Sequence, residues 1–484
     1  MYINSLNIKN LRCFERTEMQ FQNPQNAVKL RHPNVNLLLG NNGTGKTTIL
    51  RAISLAILGP ILDESGFTAR RLIRVIPNDK DIDRVATIDA SVFFHQHEML
   101  SSKSLKVNNI NKPELRDSLR QYFNYDELRM LMFDMNIDSE SIAGDTLDRK
   151  SLELIQYLER RGRLPELITY VQKARPHLEL ENTRNQERSE STPQMAQCRI
   201  ESIYGRERIY VPSQRSAEWV NLNDEKSAAL FLLGYSATRR SELGAFDPAA
   251  RAKSRNLRYQ KVAGLFEDGL SLVPLSFWVP RLIEKNLPRF KEIQAIFDQL
   301  LPQHCRLTNQ KMDEEPAFMY YGTLLPYSAL SDGYRAFISW VGDMLYYMTE
   351  ACPANMRLTQ MTGVVLVDEI DLHLHPSWQL TVIPNLSKAL PNLQFVFSTH
   401  SPILAGTLES KNIYLMDTTE NGAAIVKQLT EEVHGKSAEQ ILLGSYFGLG
   451  STRAPDVERE LAELARKAQE GDPEAALEYM RRLA

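Results

Sequence analysis

Residues 40–47 read Gly-Asn-Asn-Gly-Thr-Gly-Lys-Thr, a complete GxxxxGK[ST] pattern. Glycines at this spacing let backbone N–H groups turn inward around an anion, and a helix starting at the loop adds its positive end. Lys46 can then reach the β- and γ-phosphates of a nucleoside triphosphate, and the Thr47 hydroxyl is a ligand for Mg²⁺. The candidate phosphate-binding residues are Gly40, Asn41, Asn42, Gly43, Thr44, Gly45, Lys46, Thr47 and Thr48. A glycine-rich turn that binds nothing is the alternative. The flanks speak against it: residues 35–39 form a short apolar strand-like run, and from Thr48 the period becomes helical, with Ile49, Leu50, Ile53, Ala56 and Ile57 on one face.

Three further groups follow in order. Residues 364–369, Val-Val-Leu-Val-Asp-Glu, are an apolar strand ending in two carboxylates, and ligands of parallel α/β sheets gather at that end of a strand. Asp368 is a candidate Mg²⁺ ligand and Glu369 a candidate general base for an attacking water. Ahead of them stands Leu330-Ser331-Asp332-Gly333-Tyr334, where a serine and a glycine opening a helix can bind a γ-phosphate. The same string also makes a good turn or N-cap. Behind them, Phe397-Ser-Thr-His400-Ser-Pro402 places a histidine after another strand-like run, where a lone histidine is more often structural. His373 and His375 have an H-x-H spacing that also fits a metal pair. His95, His97, His304 and Cys305 read as structural, because no third and fourth ligand is in view.

The elements that must position these groups form an α/β pattern. Leu6 and Ile8 alternate with Asn7 and Lys9, residues 85–94 read as a strand, and residues 99–180 read mainly as helices with a break near Pro165. Residues 185–197 (NQERSESTPQMAQ) have the composition of an exposed loop. Short strand-like runs stand at 208–211, 230–234, 364–367 and 395–398, with a strand pair expected at 413–416 and 423–427. The tail is helical and charged, with Pro455 as a helix start. No sustained heptad pattern appears, so no long coiled coil is expected.

At 484 residues, two to four domains are expected. The 57 basic and 60 acidic side chains nearly cancel, so a nucleic-acid site would need a local patch. Arg70, Arg71 and Arg74, or Arg251, Lys253, Arg255, Arg258 and Lys261, could supply one, although such runs are usually solvated helix faces. The four cysteines lie far apart with no CxxC, which suggests buried thiols in a reducing compartment. The N-terminus has no signal-peptide pattern and no apolar run reaches membrane-span length, so a cytoplasmic protein without a membrane partner is expected.

With the four groups in this order, the chain resembles RecF/SMC-like ABC-type ATPases over residues 1–50 and 325–430. The stretches LSDGYRAFISW (330–340), DEIDLHLHPSWQ (368–379), GYSATRR (234–240) and ILLGSYFGLGSTRAPDVE (441–458) resemble most the PtuA family of Septu anti-phage ATPase subunits and its retron-associated relatives, with PARIS-type ATPases near. The resemblance implies a split α/β head at 1–98 and 321–436, a mainly helical insertion at 99–320 and a helical tail at 437–484. It implies ATP and Mg²⁺ as ligands and head-to-tail assembly of the chain with itself. Leu330, Ser331, Asp332 and Gly333 would then be a signature acting in trans, His400 a switch histidine, and His373 and His375 part of a D-loop for communication between subunits. Gln214 is one candidate for a Q-loop glutamine; Arg239 and Arg240 are candidates for another contact to phosphate or an adjacent subunit, and equally for solvated surface residues. A separate toxic effector, often an HNH nuclease, is the implied partner. No acidic TOPRIM constellation is apparent, so no built-in nuclease is expected. A RecF-like ATPase that binds DNA in repair is the alternative, and a transporter ATPase fits poorly with a split head.

Overall fold

The computed structural model describes residues 1–25, 29–64, 67, 71–75, 85–94, 112–135, 137–139, 142, 144, 146–160, 167, 171, 194–203, 206–211, 230–239, 257–267 and 271–483. In chain order, β1 (Tyr2–Leu11) and β2 (Phe14–Gln20) form a hairpin, followed by β3 (Val35–Gly40) and helix α1 (Lys46–Glu64). After β4 (Val85–Phe93) come helices α2 (Lys112–Tyr122), α3 (Tyr125–Asp134) and α4 (Leu147–Arg160), then β5 (Gln194–Ile203), β6 (Arg206–Tyr210) and β7 (Leu232–Tyr235). Helices α5 (Leu275–Lys285) and α6 (Leu287–Leu300) lead to a meander of β8 (Cys305–Met312), β9 (Glu315–Tyr320) and β10 (Thr323–Pro326). Helix α7 (Asp332–Ala351), β11 (Gly363–Val367), α8 (Pro376–Ala389), β12 (Leu393–Thr399), β13 (Ile413–Thr418) and β14 (Ala424–Lys427) follow. The last two main helices are α9 (Pro455–Gln469) and α10 (Pro473–Leu483).

A six-stranded sheet in the order β14-β13-β3-β12-β11-β7 carries the chemistry-bearing ends. All its pairings are parallel except the β13–β14 hairpin. Every residue of β3, β11 and β12 is buried, which explains why these strands are continuous apolar runs in the sequence. One face packs against α5, α6, α7 and α8 through a single core that includes Phe297, Trp340, Leu345 and Phe395. Helix α1 lies between this sheet and an antiparallel one, β2-β1-β4-β5-β6.

Amides in strand interiors join the two sheets. Gln394 is fully buried; its Oε1 accepts from Ile3 N at 2.7 Å, and its Nε2 donates to Ile3 O and Gln22 O at 2.8 Å each. The bond set falls at the β1–β4 register shift between Ile3 and Ser5. Asn36 accepts from Gln22 N at 2.7 Å and donates to Gln22 O at 2.9 Å. Buried amides that are fully paired in this way specify register and approach together.

The chain divides into two compact units, Met1–His95 with Pro193–Ala484, and Gln96–Thr192. The second unit packs α2, α3 and α4 around Leu119, Leu128, Met132, Leu154 and Leu158. Residues 193–320 cluster with the head rather than with a long insertion, because β5 and β6 extend the antiparallel sheet and β7 flanks β11. Residues 194–197, which read as loop, begin a strand. Ala196, Cys198 and Ile200 alternate inward, a period hidden by the polar residues between them. The meander at 305–326 is also new relative to the sequence reading, since its strands are buried along only part of their length.

Helices α9 and α10 pack on each other, with Leu461 and Ala475 buried. Their surface carries i,i+4 pairs such as Glu463–Lys467 and Arg466–Glu470, exposed contacts that contribute little stability. Among the described residues no helix is long and apolar enough to cross a membrane.

Gln394→Leu keeps the side-chain volume but removes the partner of two carbonyls and one N–H. It should destabilise the head by about 2–4 kcal/mol, read as a lower midpoint in urea unfolding.

Candidate functional site

The parallel pairing β3–β12–β11 brings three chain segments to one sheet edge. The loop after β3 is tight: a Cβ on Gly40 would fall 2.4 Å from Met416 O. Gly45 has φ +97°, and a Cβ there would meet Cys13 Sγ and the Phe14 ring at 2.7 Å. Thr44 Oγ1 donates to Asn41 O at 2.8 Å and closes the loop, while Asn41, Asn42 and Gly43 face solvent.

Lys46 lies under this loop, 6% exposed, and Nζ donates to Gly40 O at 2.8 Å and Asn41 O at 2.9 Å. Burial pulls its pKa below the ordinary lysine value; Asp368, Glu369 and Asp371 act in the opposite sense. Its Nζ is also 3.0 Å from His400 Nε2. With lysine donating, His400 accepts on Nε2 and carries its proton on Nδ1. The direction of its pKa agrees: burial, then Lys46, lowers it and favours neutral imidazole.

Asp368 follows the last residue of β11. Thr47 Oγ1 donates to its Oδ2 at 2.6 Å, and Ser398 Oγ donates to its Oδ1. Ser398 Oγ in turn accepts from Glu369 N at 2.8 Å. Thr47 and Asp368, separated by 321 positions in the chain, thus converge as a pair of hard oxygen ligands would for Mg²⁺. The Glu369 carboxylate is about one-third exposed, and its Oε1 is 3.9 Å from His400 Nε2.

The signature-like string starts α7. Ser331 occupies the N-cap position and is exposed, and its side chain makes no capping hydrogen bond. Leu330 is buried behind it, and Asp332 pairs with Arg335. Gly333 packs against the turn after β11: a Cβ there would fall 2.7 Å from His373 O. Among the described residues, no hydrogen bond joins residues 330–333 to residues 40–48.

His375 is used locally. It caps α8, with Nδ1 accepting from Ser377 N at 3.3 Å, while His373 is exposed at φ +67°. No group of three or more His, Cys, Asp or Glu side chains is arranged for a metal ion among the described residues. His304 hydrogen-bonds Tyr334 at 2.7 Å and stacks on Tyr321 at 4.1 Å, and Cys305 is buried. Gln214, Arg240, His95, His97, Arg70, Arg251, Lys253 and Arg255 lie outside the described residues. Of the remaining basic candidates, Arg258 is buried and donates to Leu230 O, Lys261 lies over the Phe231 and Tyr347 rings, and Arg74 donates to Cys13 O.

Sequence reasoning missed the role of three residues. Ser398 bridges Asp368 and the Glu369 N–H. Asp343, 3% exposed within α7, accepts from Tyr235 OH at 2.9 Å and Val273 N at 2.7 Å, tying β7 to that helix. An aspartate inside the apolar run Trp340-Val-Gly-Asp-Met-Leu was the available signal. Arg239, read as a contact to phosphate or an adjacent subunit or as a solvated surface residue, binds the chain's own backbone: its guanidinium donates to Asp368 O at 2.8 Å and Glu369 O at 2.9 Å. Burial lowers its pKa to about 10, opposed by Asp368, Asp371 and Glu369, so it remains a cation at neutral pH.

Three protein-family models match parts of this chain: "AAA ATPase domain" at residues 1–59, "AAA domain, putative AbiEii toxin, Type IV TA system" at 319–406, and "Effector-associated domain 7" at 115–176. The chain is similar to the Septu protein PtuA of Bacillus mycoides (strain KBAB4), with 28% identity over 253 residues, covering 51% of this chain and 33% of that protein. It is also similar to the retron Ec83 probable ATPase of Escherichia coli, with 24% identity over 431 residues, covering 86% and 71%. The match thus spans a third of the length of the first relative and 71% of the second. Among solved structures, the SMC head domain from Thermotoga maritima aligns over 89% of this chain and 99% of that one, at 11% identity and a TM-score of 0.41.

Lys46→Ala removes the buried cation beside residues 40–45. Turnover of ATP by the purified variant should drop to background while its unfolding midpoint stays close to that of the wild type; normal turnover would remove Lys46 from the site.

Proposed function

We propose that this relative of the PtuA and retron ATPases is a Mg²⁺-dependent ATPase of the cytoplasm whose nucleotide state gates a separate toxic effector, a nuclease, in anti-phage defence. The observation that carries the catalytic part is the convergence of Lys46, Thr47, Asp368, Glu369 and His400 at the ends of β3, β11 and β12. The exposed loop residues 41–43 and the start of α1 receive the phosphates. Lys46 gives up its carbonyl partners to reach them. Thr47 Oγ1 and Asp368 Oδ2 would hold Mg²⁺, which supplies charge neutralisation at the β- and γ-phosphates. Glu369 accepts the proton of the attacking water, and neutral His400 is placed to contact the γ-phosphate.

Assembly is head to tail. The support is the idle Ser331 hydroxyl at an exposed helix N-terminus, which no hydrogen bond ties to the chain's own phosphate loop among the described residues. Such a terminus suits the γ-phosphate on a second copy. Mixing Lys46→Ala with Ser331→Arg tests this, because mixed dimers contain one site with both halves intact. Recovery of roughly a quarter of wild-type turnover is expected, since half the dimers are mixed and each has one competent site of two. No recovery despite demonstrated subunit exchange would overturn the shared site.

The inserted unit is the proposed effector contact, on the strength of its similarity to an effector-associated domain. Val92 of β4 pairs with Gln194 of β5, so the unit enters and leaves through adjacent ends of one antiparallel pair. Replacing residues 96–192 by a short turn should therefore leave ATP turnover within about threefold of wild type. Co-purification of the proposed nuclease effector, co-expressed with this chain, should be lost; retained binding would move the contact elsewhere.

A further inference from the structure

Glu369 adopts a backbone conformation that a glutamate does not choose. Its φ is +46°, in the left-handed region where a Cβ crowds the neighbouring carbonyl. Such a residue persists only where its surroundings over-determine it. The surroundings here are specific. On one side, Glu369 N donates to Ser398 Oγ at 2.8 Å. On the other, Arg239 Nη1 donates to Asp368 O at 2.8 Å and Nη2 to Glu369 O at 2.9 Å. A planar guanidinium fork spans two successive carbonyls in a way that a lysine ammonium does not.

The fold delivers Arg239 to this place. Strand β7 runs parallel to β11 with Tyr235 beside Val367, and Tyr235 O accepts from Asp368 N at 2.8 Å. Four residues later the chain presents Arg239 beneath the turn, with its guanidinium 6.0 Å from the centre of the Trp340 ring. Both outer guanidinium nitrogens are engaged by backbone carbonyls, an arrangement for shaping the turn rather than for gripping a phosphate.

We infer that Arg239 is a positioning residue for hydrolysis, pinning the two peptides that flank Glu369 so that its carboxylate is held toward the attacking water. The inference rests on the reading of Glu369 as general base. Arg239 acts through Glu369 and does not touch the nucleotide, which separates it from a phosphate contact.

Arg239→Lys keeps a cation but loses the fork, and Arg239→Gln keeps one donor without a buried charge, so the second serves if the first does not fold. Each is compared with wild type for ATP affinity, KM, kcat and unfolding midpoint. The expected result is a kcat lowered roughly 10–100-fold, the usual cost of losing a partner that orients a functional group, with affinity and KM within about threefold. In a Glu369→Gln background the same substitution should cost almost nothing further. Multiplicative losses in the double variant, a wild-type kcat, or a loss confined to affinity would each overturn the inference. Wild-type hydrolysis by Glu369→Gln alone would instead remove the base assignment itself, so the two failures are distinct.

Discussion

The hydrogen bond from Thr47 to Asp368 spans 321 positions and marks the point on which the head is organised. Thr47 lies in the first turn of α1, after β3, and Asp368 follows β11. They meet because β12 lies between those strands and pairs in parallel with both. Parallel pairing gathers all three carboxyl-terminal ends on one edge, and β12 then contributes Ser398 and, just beyond its end, His400 at the same edge. The buried character of β3, β11 and β12 is therefore a requirement of the site as well as of the core.

Registration at this edge needs more than apolar packing, because non-directional burial tolerates small slips. Buried amides provide the direction. Gln394 pairs with both backbone groups of Ile3, and Asn36 pairs with both backbone groups of Gln22. These bonds set the hairpin β1–β2 against the central sheet, and that hairpin supplies Cys13 and Phe14, which close on Gly45. The narrow space left at Gly45 thus traces to polar contacts at the other end of the same strands.

Helix α7 connects two parts of the chemistry. Its first residues present Ser331 and pack Gly333 on the His373 turn, while Asp343 further along holds Tyr235, and Trp340 lies beside Arg239. If Ser331 engages a second copy as proposed, a shift of α7 would be felt at β7 and at the turn that carries Glu369. The helix is one rigid element in contact with both regions, which is the physical condition for coupling between them.

The glycine-rich loop, the acidic pair, the signature-like string and the histidine after β12 stand out in the sequence because each is a local pattern, and β3, β11 and β12 beside them are continuous apolar runs. The α/β class was legible for the same reason. Residues whose role depends on a distant backbone were not. Nothing near Arg239 in the sequence reveals that its partners are carbonyls 129 and 130 positions away. Asp343, inside an apolar run, and Gln394, just ahead of one, likewise have partners that only the tertiary structure supplies. The strand at Gln194–Ile203 was hidden because polar residues stand between its inward Ala196, Cys198 and Ile200, and only pairing with β4 selects strand over loop. Sequence by itself determined which groups can do chemistry, since that follows from side-chain type and local backbone. Tertiary structure alone decided which of them meet and what holds Glu369 at a positive φ, because hydrogen bonds between elements depend on sheet order, and no periodicity along the chain encodes that order.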